Sequence, residues 1–220
     1  MSVLSVQSVS KFFGNFPALR QLSFELEAGD CVALLGRNGA GKTTLLQLMA
    51  GLTRPTDGSL TSTRRISLLG HGIGVYDELS ARENLNFFAS LTDRPIDVEA
   101  WLERVNLREV AHAPLREYSR GMRQRLALAR AFMGEPELLL LDEPFTSLDD
   151  KATALLQSLL SEALARRATI VLSTHQIPEA MALANRVLFL ERGKLAYFGA
   201  RPEEMLGDST WMYRNYGTVL

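Results

Sequence analysis

The 220-residue sequence has little of several features that mark particular classes of protein. Cys31 is the only cysteine, so no disulfide can form within the chain, which fits a reducing compartment. The longest apolar runs, such as residues 138–141, fall far short of the ~20 residues that span a bilayer, and the first residues lack a signal-peptide pattern. With 24 basic and 25 acidic residues, the chain has no charge excess that would favour nucleic acid. We therefore expect a soluble chain that reaches a membrane only through a partner.

The residues that are present describe a globular protein. Hydrophobic residues make up 46% of the chain and charged residues 22%, which is enough apolar material for a sizeable core. Strand and helix patterns alternate from about residue 119 onward, and this alternation predicts an α/β fold with parallel strands. The first ~35 residues are typical of strands, whereas residues ~78–117 are typical of helices. We expect one domain over residues 1–220, with a core lobe of residues 1–71 and 119–220 and a helical lobe of about 72–118.

Residues 36–44 read GRNGAGKTT and contain the phosphate-loop pattern G-x-x-x-x-G-K-[ST]. Gly36 and Gly41 would let backbone N–H groups turn towards the α- and β-phosphates. Lys42 can reach the β- and γ-phosphates, and the Thr43 hydroxyl can ligate Mg²⁺. A buried strand precedes the loop and a helix follows it, as the motif requires. The alternative is a glycine-rich turn that matches by accident.

A second element is the strand 137–142, which ends in two acids. Functional groups in α/β sheets lie at the carboxyl ends of strands. Asp142 is placed there to hold the Mg²⁺ hydration shell opposite Thr43, and Glu143 to take a proton from an attacking water. The alternative is a strand that runs into an acidic turn.

A third element is the helix that begins after Ser119. Ser119 is a good N-cap, and Gly121 leaves the backbone of the first turn accessible, so this is a second helix start able to receive an anion. In isolation a plain capped helix would explain the pattern equally well.

Together these motifs resemble the nucleotide-binding subunits of ABC transporters from end to end. Residues 36–44 resemble the Walker A loop, 138–143 the Walker B strand with its catalytic glutamate, and 118–124 the ABC signature. Residues 147–149 resemble the D-loop and 173–175 the switch-histidine segment. Phe13 falls where the family places an aromatic that stacks on adenine, although a core aromatic of an edge strand would also fit there.

The resemblance implies a P-loop NTPase core with a parallel sheet, an antiparallel β subdomain at the N-terminus and an inserted α-helical lobe. It also implies two cassettes paired head to tail on the cytoplasmic side of a membrane, bound to a transmembrane permease. ATP and Mg²⁺ would be the cofactors, with Thr43 and Asp142 at the metal. The resemblance also implies that Glu143, His175 and Lys42 are catalytic and that Asp149 lies in the D-loop. The implied ATP-binding residues are Phe13, Gly36, Asn38, Gly39, Gly41, Lys42, Thr43 and Thr44. Ser119 and Gly121 would bind the partner's ATP.

The sequence departs from the family pattern at three positions. Alignment puts His71 at the Q-loop position, where the family usually has glutamine, and imidazole is a poorer ligand than an amide oxygen for Mg²⁺. Arg120 replaces the first glycine of the signature, which adds a cation near the partner's phosphates. Tyr118 replaces a leucine, which we expect to be a mild packing change.

The transported substrate stays open. The pair Gly70–His71, followed by Leu79-Ser80-Ala81 and Glu83-Asn84-Leu85, resembles the ATPase of the haem exporter of cytochrome c maturation. The compact segment between Gly58 and Ile66, expected to be a loop, fits that subgroup. The alternatives are the ATPase of a drug, lipid or polysaccharide exporter, a non-transport ABC ATPase acting on nucleic acid or ribosomes, and a nucleotide-gated binding module without real catalysis.

Overall fold

A long antiparallel hairpin begins the fold in the computed structural model, which describes residues 2–62, 65–70, 74–146 and 148–217. Strands β1 (Ser2–Phe13) and β2 (Phe16–Glu27) pair with each other, and β1 also pairs with β4 (Asp57–Ser62), giving the order β2-β1-β4. The N-terminal antiparallel sheet confirms one part of the predicted fold class. His71 and Ser147, both singled out in the sequence, lie outside the described residues.

Strand β4 corrects the expected loop between Gly58 and Ile66. In β4 only Leu60 is half-buried and its neighbours are exposed, so the segment has no apolar alternation that would mark it as a strand. Its position depends on backbone pairing to β1, a contact between distant parts of the chain that local patterns do not encode.

A six-stranded sheet forms the second layer, in the order β5-β6-β7-β3-β8-β9. Its strands are β3 (Cys31–Leu35), β5 (Ile66–Leu69), β6 (Leu138–Asp142), β7 (Thr169–Ser173), β8 (Arg186–Glu191) and β9 (Lys194–Ala200). The first five strands in this order, from β5 to β8, run parallel, as predicted, and β9 is an antiparallel edge strand. A two-residue turn joins β8 to β9, and its residues Arg192 and Gly193 have φ of 48° and 75°, the left-handed values that a tight hairpin needs.

Seven α-helices surround the described parts of these sheets. They are α1 (Lys42–Met49), α2 (Ala81–Ser90), α3 (Val98–Arg104), α4 (Arg120–Phe132), α5 (Asp150–Ala165), α6 (Ile177–Leu183) and α7 (Trp211–Tyr216). Short 3₁₀ turns occupy Arg108–Val110, Leu115–Glu117 and Glu203–Leu206. In the described residues no helix is both long and apolar enough to cross a membrane. The sequence patterns predicted these helices except α7, which is a single short segment near the C-terminus.

The core lies on both faces of the six-stranded sheet because successive side chains of a strand point to opposite sides. In β6, Leu139 and Leu141 join the cluster that packs against α5 and α6, whereas Leu138 and Leu140 join the one that packs against α1 and the N-terminal sheet. A third cluster unites α2 and α3 with one face of α4. The division of the chain into two lobes stays a prediction, since α4 belongs to two of these clusters.

The turn before α2 is fixed by one buried amide. Asn84 is fully buried; its Oδ1 accepts the Tyr76 N–H at 2.8 Å, and its Nδ2 donates to the carbonyls of Tyr76 and Ser80 at 3.0 and 2.9 Å. Ser80 caps α2 in a capping box with Glu83. These bonds anchor the chain that follows the Q-loop position.

Candidate active site

The loop between β3 and α1 has the backbone that its glycines permit. Gly36, Gly39 and Gly41 have φ of 148°, 78° and 104°. A Cβ on Gly36 would lie 2.4 Å from the carbonyl oxygen of Leu190, so the close approach of the loop to β8 requires glycine there. No side chain caps α1. The first turn of this helix can therefore present backbone N–H groups to an anion.

Lys42 lies inside this loop and is only 8% exposed. Its Nζ donates to the carbonyl oxygens of Gly36 at 2.7 Å and of Arg37 at 3.3 Å. Burial lowers the pKa of Lys42, while Glu143 and Asp142 act in the opposite direction. The ammonium group is thus held at the centre of the loop by backbone acceptors, close to the carboxylates that follow β6.

Thr43 and Asp142 form a pair across the ends of α1 and β6. The Thr43 Oγ1 donates to Asp142 Oδ2 at 2.7 Å, and the Ser173 Oγ donates to Asp142 Oδ1 at 2.5 Å. Two hard oxygen ligands therefore meet beside the phosphate loop, which is the donor set that Mg²⁺ takes when waters and phosphates supply the rest. In the described residues no cluster of three or more His, Cys, Asp or Glu side chains forms a separate metal site.

Glu143 and His175 face each other at the ends of β6 and β7. The His175 backbone N–H donates to Glu143 Oε2 at 3.1 Å, and the His175 Nε2 lies 3.2 Å from Glu143 Oε1. Glu143 has a φ of 54°, and its N–H donates to the Ser173 carbonyl at 3.0 Å. Positive φ is uncommon for glutamate and is held by surrounding bonds when it occurs. The structure thus brings the predicted base and the predicted switch histidine into direct contact.

The start of α4 makes its own local contacts. Ser119 Oγ accepts the Met122 N–H at 3.3 Å as an N-cap. A Cβ on Gly121 would lie 3.3 Å from Asp149 Oδ2, and Asp149 itself caps α5 through the Ala152 N–H at 2.7 Å. In the described part of the chain, Ser119 and Gly121 make no hydrogen bond to the phosphate loop.

The remaining predicted residues lie at the edges of the site. Phe13 is 53% exposed at the tip of the β1–β2 hairpin, and the Lys11 Nζ lies 5.2 Å from its ring centroid. Asn38 and Gly39 are exposed on the loop and Thr44 is half-buried in α1. Tyr118 is buried, and its hydroxyl donates to the Val110 carbonyl at 2.6 Å, which agrees with the expected packing role.

The sequence reasoning placed Ser173 in the switch-histidine segment but did not anticipate its bond to Asp142. Ser173 pairs with Asp142 in the register of β6 and β7, and a polar residue at the end of an apolar strand is the signal that could have indicated it.

Comparison with known proteins agrees with this geometry. The family model described as "ABC transporter" matches residues 19–146. A second model, described as "AAA domain, putative AbiEii toxin, Type IV TA system", matches residues 111–182. The chain is similar to a solved "ATP binding subunit of ABC transporter", with 26% identity, a TM-score of 0.84, and coverage of 98% of this chain and 95% of that one. A dimeric cassette solved in a post-hydrolysis state with ADP and Pi has a TM-score of 0.79 at 23% identity, covers 90% and 99% of the two chains, and shares the fold.

Curated relatives give the same result. The chain is 40% identical to the Nod factor export ATP-binding protein I of Rhizobium meliloti strain 1021, over 93% of this chain and 66% of that protein. It is 34% identical to an uncharacterized ABC transporter ATP-binding protein of Bacillus subtilis, over 91% and 72%. The chain spans about two thirds of the length of such relatives. It belongs to the ABC transporter family as an ATP-binding cassette, the ATPase class of that family.

Proposed function

We propose that this cassette binds Mg²⁺ and ATP and hydrolyses the ATP to drive an exporter through a separate membrane subunit. The observation that carries the proposal is the meeting of Lys42, the Thr43–Asp142 pair and the Glu143–His175 pair at the carboxyl ends of three adjacent strands. A phosphate loop alone would support binding. A buried carboxylate and a histidine in contact beside that loop supply what hydrolysis of a bound phosphoanhydride requires.

The role of each residue follows from its position. The loop amides and Lys42 would hold the β- and γ-phosphates and balance the charge that develops on them. Glu143 would accept a proton from the attacking water, and His175, in contact with that carboxylate, would orient the water and the γ-phosphate. Thr43 and Asp142 would hold Mg²⁺, which when bound neutralises phosphate charge. Phe13 would stack on the adenine, since its ring is exposed at the hairpin tip.

A head-to-tail dimer would complete the site. The Ser119–Gly121 turn is a second helix start able to receive an anion; in the described residues Ser119 caps α4, and Gly121 lies beside the D-loop residue Asp149. A partner's γ-phosphate would use it. Arg120, exposed in the same turn, would add positive charge there.

A cavity of about 750 Å³ supports the proposal that a membrane partner binds this chain. It lies between the core and the helical region, where Leu46, Leu52, Phe88 and Leu91 supply apolar walls and Arg130 lies over the Phe88 ring with its Cζ 5.3 Å from the centroid. We propose that a short helix of the permease docks here, which would hold the cassette on the cytoplasmic side of the membrane. Its wall includes Thr43 and Asp142, so docking would be linked to the nucleotide site.

The transported substrate has two candidates. Haem export is supported by the Gly70–His71 and Glu83-Asn84-Leu85 sequence pattern. Export of another class of compound is supported by relatives named for Nod factor export. The haem assignment stays a prediction, since these relatives are named for Nod factor export or as uncharacterized ABC transporter ATP-binding proteins.

The test is to purify the chain with its native membrane partner, identify that partner, and measure ATP hydrolysis in the complex. Glu143→Gln should lower turnover by about 10²- to 10⁴-fold while ATP binding is retained, because only the proton acceptor is lost. Glu204→Gln, which alters an exposed glutamate after β9, is the matched control and should leave turnover unchanged. Undiminished hydrolysis in Glu143→Gln would contradict the proposal. Purification with RNA or DNA instead of a membrane protein would favour the non-transport alternative.

A further inference from the structure

The tip of the β1–β2 hairpin carries two exposed aromatic side chains on one face. Phe13 ends β1 and Phe16 begins β2, and the two are directly opposite each other in the register of the strands. Residues directly opposite in an antiparallel pair have their side chains on the same face. Phe13 is 53% exposed and Phe16 is 65% exposed. Two large apolar groups therefore stand next to each other in solvent, where an apolar ligand could cover both.

An irregularity in β2 decides which other residues share this face. Lys11 is opposite Leu19 and Phe13 is opposite Phe16, so one residue separates the two positions on β1 but two residues separate them on β2. The extra residue, Ala18, makes a β-bulge. Because of the bulge, Phe16 and Leu19 lie on one face although they are three positions apart, whereas strict alternation would put them on opposite faces.

Leu19 shows what that face meets. A Cβ on Gly41 would lie 2.6 Å from Leu19 Cδ2 and 2.8 Å from the carbonyl oxygen of Ala18. Leu19 therefore packs against the last glycine of the phosphate loop, immediately before α1. Three residues of extended strand span about 10 Å. The aromatic pair thus lies beside the loop on the same face, within reach of a ligand whose charged end fills the loop.

The surroundings of the first ring leave work for the second. Lys11 Nζ lies over the Phe13 ring, 5.2 Å from its centroid, and is held there by donating to the Arg54 carbonyl at 2.8 Å. Part of the Phe13 surface is therefore already in contact with a cation. Phe16, which has the larger exposed fraction, supplies further apolar surface next to it.

We propose that Phe16 is a second binding residue for the nucleobase, and that the base rests on Phe13 and Phe16 together. The inference rests on the proposed function, because it places the phosphates of the same nucleotide in the loop. An aromatic surface recognises the π-face of a base and contributes nothing to the recognition of phosphate. Phe16 should therefore strengthen the binding of nucleotides but not of a polyphosphate that has no base.

The experiment compares Phe16→Ala with Phe12→Ala in the full chain. Phe12 is 40% exposed and is opposite Pro17, so its side chain lies on the other face of the same hairpin tip and its change is the matched control. Phe16→Tyr is the conservative variant that keeps the ring. Calorimetry gives the Kd for ADP with Mg²⁺, and competition with ADP gives the Ki of tripolyphosphate. The melting temperature of the nucleotide-free protein is measured for each variant.

We expect Phe16→Ala to raise the Kd for ADP about two- to tenfold, the size of one aromatic contact, and to leave the Ki of tripolyphosphate within about twofold. Phe16→Tyr and Phe12→Ala should match the wild type for both ligands, and the melting temperature should be unchanged because the side chain is exposed.

Four results would each overturn the inference. They are an unchanged Kd for ADP in Phe16→Ala, an equal loss in Phe12→Ala, an equal loss in Phe16→Tyr, and a weakening of tripolyphosphate as large as that of ADP. If the wild-type chain binds neither ADP nor tripolyphosphate, the proposed function fails instead.

Discussion

The phosphate-loop end of the sheet and the start of α4 both carry motifs of the same chemistry, yet they are built differently. At the sheet, Lys42, Asp142 and Glu143 are buried or nearly so; carbonyls of the phosphate loop hold Lys42, and bonds from the end of β7 hold the two carboxylates. At α4, Ser119 and Arg120 are exposed, and the Ser119 hydroxyl accepts only from its own helix. The phosphate-loop end of the sheet is therefore pre-organised, whereas the start of α4 is exposed and can receive a further ligand. We infer that the second part serves a second subunit.

The largest effect on ATP hydrolysis should come from a change at the phosphate-loop end of the sheet. Asp142→Asn keeps the shape of the side chain but removes the charge that would hold Mg²⁺, and it weakens the acceptor of both Thr43 and Ser173. We expect ATP hydrolysis to fall at least about 100-fold, and nucleotide affinity to lose most of its dependence on Mg²⁺.

The measurement is a nucleotide titration with and without Mg²⁺, together with phosphate release. Asp150→Asn, in the first turn of α5, is a control that alters an exposed aspartate. If Mg²⁺ strengthens nucleotide binding to Asp142→Asn as much as to the wild type, the assignment of this carboxylate to the metal is wrong.

A smaller and different effect is expected at α4. Ser119→Ala removes an N-cap and should cost about 1 kcal/mol of unfolding free energy. It should leave the nucleotide affinity of the single chain unchanged, because the hydroxyl lies outside the loop, but lower turnover in the assembled complex roughly tenfold.

Asp97→Ala is the matched control for this change, since Asp97 caps α3 by accepting the Ala100 N–H at 3.0 Å. It should cost similar stability, read by chemical denaturation, without a change in turnover. Equal turnover in the two variants would show that Ser119 is only a cap, and a loss of single-chain affinity in Ser119→Ala would erase the difference between the two regions.

The smallest effect concerns Cys31 at the start of β3, the strand that leads into the phosphate loop. Burial, with a contribution from Asp30, raises the pKa of the Cys31 thiol to about 12. Because the reactive thiolate is then nearly absent at pH 8, native protein should resist alkylation and keep full nucleotide affinity. Unfolded protein should take up one equivalent per chain, measured by mass spectrometry. Rapid labelling of the native chain would show that the start of β3 opens more readily than the packing around Cys31 indicates.

Most of the fold could be predicted because its signals are local. The strands β3, β6 and β7 are short apolar runs, the helix α4 has apolar residues at helical spacing, and the turn glycines of the loop have positive φ as expected. Strand β4 could not be predicted, because its exposed residues are ordered by pairing with β1. Helix α7 was missed because it is six residues long and is held by packing on β8.

The candidate site was predictable to a similar extent. Motif spacing indicated Lys42, Asp142, Glu143 and His175, and the structure places them around one loop. The hydroxyl that holds Asp142 did not emerge, because the position of Ser173 depends on the register between β6 and β7. The roles of these residues stay predictions until the variants are measured.

The most direct test of the shared site is the mass of the chain in solution with nucleotide. Glu143→Gln, which should bind ATP without consuming it, is examined by analytical ultracentrifugation with Mg²⁺ and ATP, with Mg²⁺ and ADP, and without nucleotide. We predict that the mass shifts from 24.4 kDa to about twice that value with Mg²⁺ and ATP, but not in the other two conditions. The shift should be absent when Ser119→Glu is added to place a negative charge at the start of α4. A chain that stays at 24.4 kDa in saturating ATP, or that dimerises equally well with Ser119→Glu, would contradict the account.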